Sequence, residues 1–154
     1  MKIPILHYCI MKKAMKCFKF LILNGADPSQ TLLHKWEDKH EYIWDCISIA
    51  VCFGEWEMMK ILEERGIDKL NNPNVWEAAA LTHRNKFLKL LISNKDEISN
   101  FEECLNKGME GATKGSNLKL IKKIKSCEFY TTSSCSIYEF KRDRRTINIK
   151  RSRY

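Results

Sequence analysis

The sequence is poor in residues that interrupt regular structure, with six glycines and three prolines in 154 residues. That scarcity excludes collagen-like and low-complexity chains. No apolar run reaches the roughly 20 residues that a membrane-spanning helix requires. No small-residue cleavage site follows the first apolar segment, so we expect neither a span nor a secretory leader. The length of 154 residues predicts one domain, and a hydrophobic content of 44% is typical of a folded, globular chain.

Motifs of common catalytic and metal sites are also missing. The sequence contains no phosphate-binding glycine loop, no H-E-x-x-H and no G-x-S-x-G segment. Its seven cysteines include no C-x-x-C pair, a pattern typical of reduced intracellular thiols. His34 and His40 lie outside zinc-finger spacing, and the pattern places no histidine to activate Cys52. We therefore predict a non-enzyme without cofactor or metal.

The net charge of +8 is concentrated at the C-terminus. Residues 141–154 hold seven basic residues and one acidic residue, which is +6, and leave +2 for the other 140 residues. We interpret residues 129–154 as a basic, disordered tail because they show no helical periodicity. Such a tail can bind nucleic acid weakly, contact an anionic membrane surface or direct nuclear import. No groove-entering motif accompanies the charge.

One unit recurs four times, with starts near residues 6, 47, 76 and 109. Position 3, counted from each start, is small in every copy, as Cys9, Ala50, Ala79 and Ala112. Position 15 is Leu21, Leu62, Leu91 and Ile124. This spacing predicts a short helix over positions 0 to 6, a break near position 7 and a second helix. Helices this short cannot bury their apolar faces alone, so the units must stack.

These units resemble ankyrin repeats. PILHYC at residues 4–9 matches the T-P-L-H-x-A box, and LILNGADP at 21–28 matches the ending of the ankyrin unit. Residues 49–68 match the same family pattern, whereas the third and fourth copies match in periodicity, with Lys95 and Glu128 where glycine is expected. The irregular spacing resembles the divergent ankyrin proteins expanded in parabasalid protists. The resemblance implies an all-α, ankyrin-type helical solenoid of about four divergent repeats over residues 1–128.

The resemblance also implies how the units cohere and what they do. The family's box histidine bridges backbone groups between units, and His7 is the only one here, so we expect weak cohesion. About eight residues beyond the usual period of roughly 33 follow the first unit and form a longer finger. We expect an intracellular, monomeric, non-catalytic scaffold that binds another protein, in the cytoplasm or nucleus. The alternative is a nucleic-acid-associated protein that binds through its tail.

The partner-binding residues implied by the resemblance lie on the finger and at positions 5 and 6 of each unit, which face the concave groove of ankyrin stacks. Two interpretations of Trp44 and Phe53 remain open, because these aromatic side chains either contact a partner or are buried by divergent packing. The predicted set is Met11, Lys12, Ile43, Trp44, Cys52, Phe53, Leu81, Thr82 and Lys114.

Overall fold

The computed structural model describes residues 3–36 and 40–126, so the predicted tail at 129–154 and Glu128 lie outside the described residues. Within this part the chain is mostly helical, with eight α-helices and one two-stranded sheet, which confirms the predicted all-α class. The helices are α1 (Ile5–Met11), α2 (Met15–Leu23), α3 (Cys46–Phe53), α4 (Trp56–Glu64), α5 (Pro73–Leu81), α6 (Asn85–Ser93), α7 (Phe101–Lys114) and α8 (Leu118–Ser126). The strands are β1 (Thr31–Trp36) and β2 (His40–Asp45), and a 3-10 turn covers Lys95–Glu97.

The helices form four pairs, one for each predicted unit, although α7 begins at Phe101, eight residues before the predicted start near 109. The break at position 7 has the same geometry in each pair. Its residue has a left-handed backbone, with φ of 56° at Lys13, 74° at Gly54, 59° at His83 and 53° at Ser116. The second helix begins two residues later in every pair. A backbone hydrogen bond of 2.7–2.8 Å from position 8 to the carbonyl of position 3 closes each turn. The four pairs therefore share one local structure.

The first helices of the pairs lie in a row, in which α3 contacts α1 on one side and α5 on the other, and α5 contacts α7. The small side chains predicted at position 3 are buried in all four first helices. In the second helices, Leu62 and Leu91 are fully buried at position 15 and Ile124 nearly so. The apolar faces of the short helices thus join in one core, which each pair could not form alone.

The residues that cap the N-termini of α3 and α5 are hydrogen-bonded to each other. The Asp45 carboxylate accepts a hydrogen bond of 3.0 Å from the Ser48 backbone N–H at the start of α3, and the Asn72 side chain caps α5 in the same way through Asn74. Pro73 occupies the first turn of α5, where its missing N–H costs nothing. The Asn72 amide also donates to Asp45 over 2.7 Å. The starts of α3 and α5 are therefore held to each other.

The last two helices of the row approach each other most closely, and glycine permits it. A Cβ atom at Gly111 would collide with the Glu77 carbonyl oxygen and lie 3.0 Å from the Glu77 Cα, while Gly115 meets the Leu81 backbone in the same way. At Gly108, one turn earlier, a Cβ atom would make an ordinary 3.6 Å contact with the Trp76 ring. Since backbone cannot move aside as a side chain can, α5 and α7 require glycine at 111 and 115.

His7 does not form the bridge that the resemblance implies. Its ring is fully buried, yet neither ring nitrogen has a hydrogen-bond partner within the described residues. Burial lowers the pKa of His7 below its usual value of 6.5, and the Asp45 carboxylate opposes that shift. His7 is therefore a neutral core side chain at physiological pH, and the expectation of a bridging histidine is corrected.

We expect Gly111→Ala to lower the free energy of unfolding by about 1–3 kcal/mol, because its Cβ would force α5 and α7 apart. Gly108→Ala is the matched control, since it changes the same helix where space exists and gains up to about 1 kcal/mol of helix propensity. Urea unfolding followed by circular dichroism measures both variants. A Gly111→Ala protein as stable as Gly108→Ala would contradict the observed approach.

We also expect stability to decrease as the pH falls below 6.5, because the unfolded chain then binds a proton that folded His7 resists. The His7 contribution is fully present above pH 6.5 and is lost as the pH falls toward the lowered folded-state pKa. His7→Leu should flatten the change in urea midpoint between about pH 7.5 and 5. An unchanged pH dependence in His7→Leu would show that other groups cause the loss.

Candidate protein-binding surface

The segment predicted to form a longer finger is an antiparallel hairpin of β1 and β2. Its register pairs Leu32 with Trp44 and Leu33 with Ile43. Successive side chains of a strand point to opposite faces, and here Leu32, Tyr42 and Trp44 are buried while Leu33 and Ile43 are exposed. One face of the hairpin therefore packs on the core, and the opposite face carries a cross-strand pair of aliphatic side chains.

A buried carboxylate anchors the inner face of the hairpin. Glu77 of α5 is only 4% exposed, and its Oε1 atom lies 2.9 Å from the Lys114 ammonium of α7. Its Oε2 atom accepts a long hydrogen bond of 3.5 Å from the Trp44 indole N–H. The Lys114 ammonium also lies 4.8 Å from the centre of the Tyr42 ring. Since a buried carboxylate is costly unless paired, these contacts tie the hairpin to α5 and α7 together.

Three of the predicted partner-binding residues are buried: Trp44, Cys52 and Leu81. Trp44 is enclosed by the hairpin, α3 and α5, and its ring centre lies 4.9 Å from that of Tyr42. Cys52 and Leu81 lie on α3 and α5, the two helices that have neighbours on both sides in the row. Their position 5 side chains consequently face other helices. This corrects the interpretation of these three residues as contacts that a partner can reach.

The remaining predicted residues reach the surface to different degrees. Met11 and Phe53 are half-buried and pack against the core. Thr82 is half-buried, and its hydroxyl donates to the Ala78 carbonyl over 2.7 Å. Lys12 is exposed, as is Lys114 at the edge of the hairpin contact. Ile43 is 62% exposed. Ile43 is therefore the apolar member of the predicted set that is clearly exposed.

Leu33 is the residue that the sequence analysis missed. It is 37% exposed and lies directly across from Ile43. Neither TLLHKW nor HEYIWD alternates regularly between apolar and polar residues, so the sequence pattern gave no strand signal that would separate Leu33 from Leu32. The sequence analysis placed Ile43 and Trp44 together in the predicted partner-binding set. In a strand, however, consecutive side chains point to opposite faces. We call Leu33 and Ile43 the hairpin pair.

The chemistry of the described residues does not assemble a reactive centre around Cys52. Burial raises the pKa of Cys52 to about 12, although the nearby Arg84 guanidinium acts in the opposite direction. The thiol is therefore protonated at neutral pH, whereas a nucleophile needs the thiolate. Arg84 instead donates to the Cys52 backbone carbonyl over 3.0 Å. These residues connect α3 to the turn after α5.

The described part of the chain contains neither a metal-binding cluster nor a membrane-spanning helix. Within residues 3–36 and 40–126, no cluster of three or more His, Cys, Asp or Glu side chains is arranged to hold a metal ion. No helix in the same ranges has the length and apolar character to cross a membrane. No protein-family model matches the chain, and no curated protein or solved structure matches it either.

Proposed function

We propose that this chain is a non-catalytic scaffold of the ankyrin-repeat type that binds another protein through the hairpin pair. The repeat type is supported by four helix pairs with the same turn and by the row of first helices. In a solenoid of this type the neighbouring helices bury α3 and α5, so the connecting segments are the parts that remain for contacts with a partner. The hairpin inserted after the first pair enlarges that surface.

The observation that carries the proposal is the difference between the two faces of the hairpin. The inner face is held by Trp44 and Tyr42 against the paired Glu77 and Lys114. The outer face presents the hairpin pair to solvent. Aliphatic side chains on a fixed backbone lose little conformational freedom when a partner covers them, which favours binding. The same exposure lowers solubility when no partner is present.

We expect Ile43→Glu to keep the wild-type unfolding midpoint and to reduce partner capture about tenfold or more, the loss typical of a hot-spot residue. Trp44→Ala should instead lower the free energy of unfolding by about 3–5 kcal/mol, because it empties a buried site. Leu118→Glu is the control for a charge on an exposed leucine, since Leu118 is 66% exposed on α8.

The measurement is a pull-down from native lysate with equal amounts of immobilised wild-type, Ile43→Glu and Leu118→Glu protein, with the recovered proteins quantified by mass spectrometry. Proteins that bind the hairpin pair are lost from Ile43→Glu and retained by Leu118→Glu. Recovery that is the same for all three proteins would refute this binding surface. Circular dichroism melts of each variant establish that the comparison is made between folded proteins.

The alternative function, binding of nucleic acid through the tail, rests on the +6 charge of residues 141–154. We expect the full chain to bind DNA or RNA weakly. In a plot of log affinity against log salt concentration, the affinity for duplex DNA should fall with a slope of about 0.9 per phosphate contact. Deleting residues 141–154 should abolish this binding. Fluorescence anisotropy with labelled duplexes of two unrelated sequences measures it. Sequence-selective binding that survives the deletion would assign nucleic-acid recognition to the helical part.

A further inference from the structure

The helix pair at the N-terminal end of the row exposes positions that are buried in the other three pairs. Ile5 and Tyr8 of α1 are 59% and 51% exposed, and Cys17 of α2 is exposed. Their equivalents in the other pairs are buried: Cys46, Val75 and Gly108 for Ile5; Ile49, Ala78 and Gly111 for Tyr8; and Met58, Phe87 and Leu120 for Cys17. The difference indicates a packing surface at this end that no described residue covers.

Contacts in α7 show what normally covers these positions. Gly108 faces the Trp76 ring, and Gly111 faces the Glu77 backbone, both on α5. These glycines occupy the same repeat positions as Ile5 and Tyr8. A helix of the preceding pair therefore lies over this side of α7. At α1 the equivalent side chains, Ile5 and Tyr8, are larger and apolar. This side can therefore pack against the apolar side chains of another helix.

Between α1 and α2 this side forms an open groove of about 530 Å³. Apolar side chains provide most of its lining, and Lys16 lies at its edge. The lining includes Ile5, Tyr8, Cys9, Cys17, Phe20 and Leu21. We call this region the N-terminal groove. It belongs to a different part of the fold from the hairpin pair, so its role does not depend on the function proposed above.

The segment that forms the N-terminal groove is rich in lysine. Residues 1–26 contain five lysines and no aspartate or glutamate. Lys13 is paired with Glu55 over 3.0 Å. Lys12 is exposed directly after α1, and Lys16 and Lys19 are exposed on α2. The Lys12 ammonium lies 5.8 Å from the centre of the Tyr8 ring, at the margin of the apolar area. An apolar centre with a lysine rim is complementary to an apolar helix face with acidic edges.

We propose that the N-terminal groove binds an amphipathic α-helix of a partner protein, with an apolar face against Tyr8 and Phe20 and acidic side chains beside Lys16 and Lys19. Charge disfavours a second copy of this chain in a face-to-face arrangement, because the two lysine rims would meet. The last helix of the row, α7, exposes Glu110 and Thr113 and has no matching apolar face there. A helix of opposite charge therefore fits the groove better than α1 or α7 of a second copy does.

The test uses two synthetic helical peptides with the same leucine face, one with glutamates along both edges and one with lysines. We expect the glutamate peptide to bind the full chain about tenfold more tightly, since several exposed ion pairs each contribute modestly. The preference should shrink as salt screens the charges. Fluorescence anisotropy measures affinity, and mass spectrometry of Cys17 alkylation reports whether the peptide covers the groove.

Two variants and one control locate the site. Phe20→Glu should abolish binding of the glutamate peptide and the protection of Cys17, because Phe20 lines the groove and is 65% exposed. Leu90→Glu should change neither, since Leu90 has the same repeat position on α6 and is 51% exposed. The double variant Lys16→Glu with Lys19→Glu should reverse the preference and favour the lysine peptide.

Equal affinity for the two peptides, or no detectable binding of either one, would overturn the proposal. Binding that Phe20→Glu leaves intact would place the peptide elsewhere on the chain and overturn it as well. Light scattering over a range of protein concentrations tests the other occupant. A dimer that Phe20→Glu dissociates would show that a second copy fills the groove. None of these results depends on Ile43, so the hairpin pair stands or fails separately.

Discussion

Stacking of the first helices is the constraint on which the rest of the structure depends. Each helix pair has second helices of nine residues and first helices of seven to fourteen, too little to enclose a core of its own. In the row, small residues lie where the helices meet, so neighbouring pairs can approach closely and bury their apolar faces together. Ala50, Ala79 and Ala112 are fully buried, and glycine brings α7 onto the backbone of α5. Changes in side-chain size at these contacts therefore affect two helix pairs at once.

The hairpin depends on that row for its position. Its two strands would be marginal in isolation, since a lone hairpin has too little apolar surface to bury. Here the inner side chains enter the space beside α3 and α5, and Glu77 binds Trp44 on one oxygen and Lys114 on the other. The Glu77 carboxylate thus connects α5 to both the hairpin and α7. The arrangement explains how an inserted segment can present Leu33 and Ile43 on a defined backbone.

The two ends of the row differ in chemistry. The first pair is apolar and positively charged where the other pairs are covered by a neighbour, and the last pair exposes polar side chains such as Glu110 and Thr113. A polar end needs no covering, because water solvates it. Covering an apolar end is favourable, because it removes apolar side chains from water. The asymmetry is thus a property of the side chains and does not follow from the backbone, which repeats the same turn throughout.

The sequence by itself indicated the four helix pairs and the break inside each, because helical periodicity is a local property. It did not indicate that α7 begins at Phe101, before the predicted fourth unit near residue 109. It could not determine which position 5 side chains are accessible. Cys52 and Leu81 occupy the same repeat position as Met11, yet the row buries them while Met11 stays half-exposed. Burial depends on what lies across the helix, and that neighbour is remote in sequence.

Tertiary structure also decided the roles of Trp44, His7 and Glu77. In a strand, the side chains of Ile43 and Trp44 must point to opposite faces. Only the packing of the hairpin on α3 and α5 decides which of these faces is buried. His7 matches the family box but is buried without a hydrogen-bond partner within the described residues. Glu77 occupies in the third pair the repeat position that His7 occupies in the first, and it holds the hairpin through Trp44. A sequence motif records the residue types that suit a contact, whereas the contact itself exists only when folding brings its second partner into place.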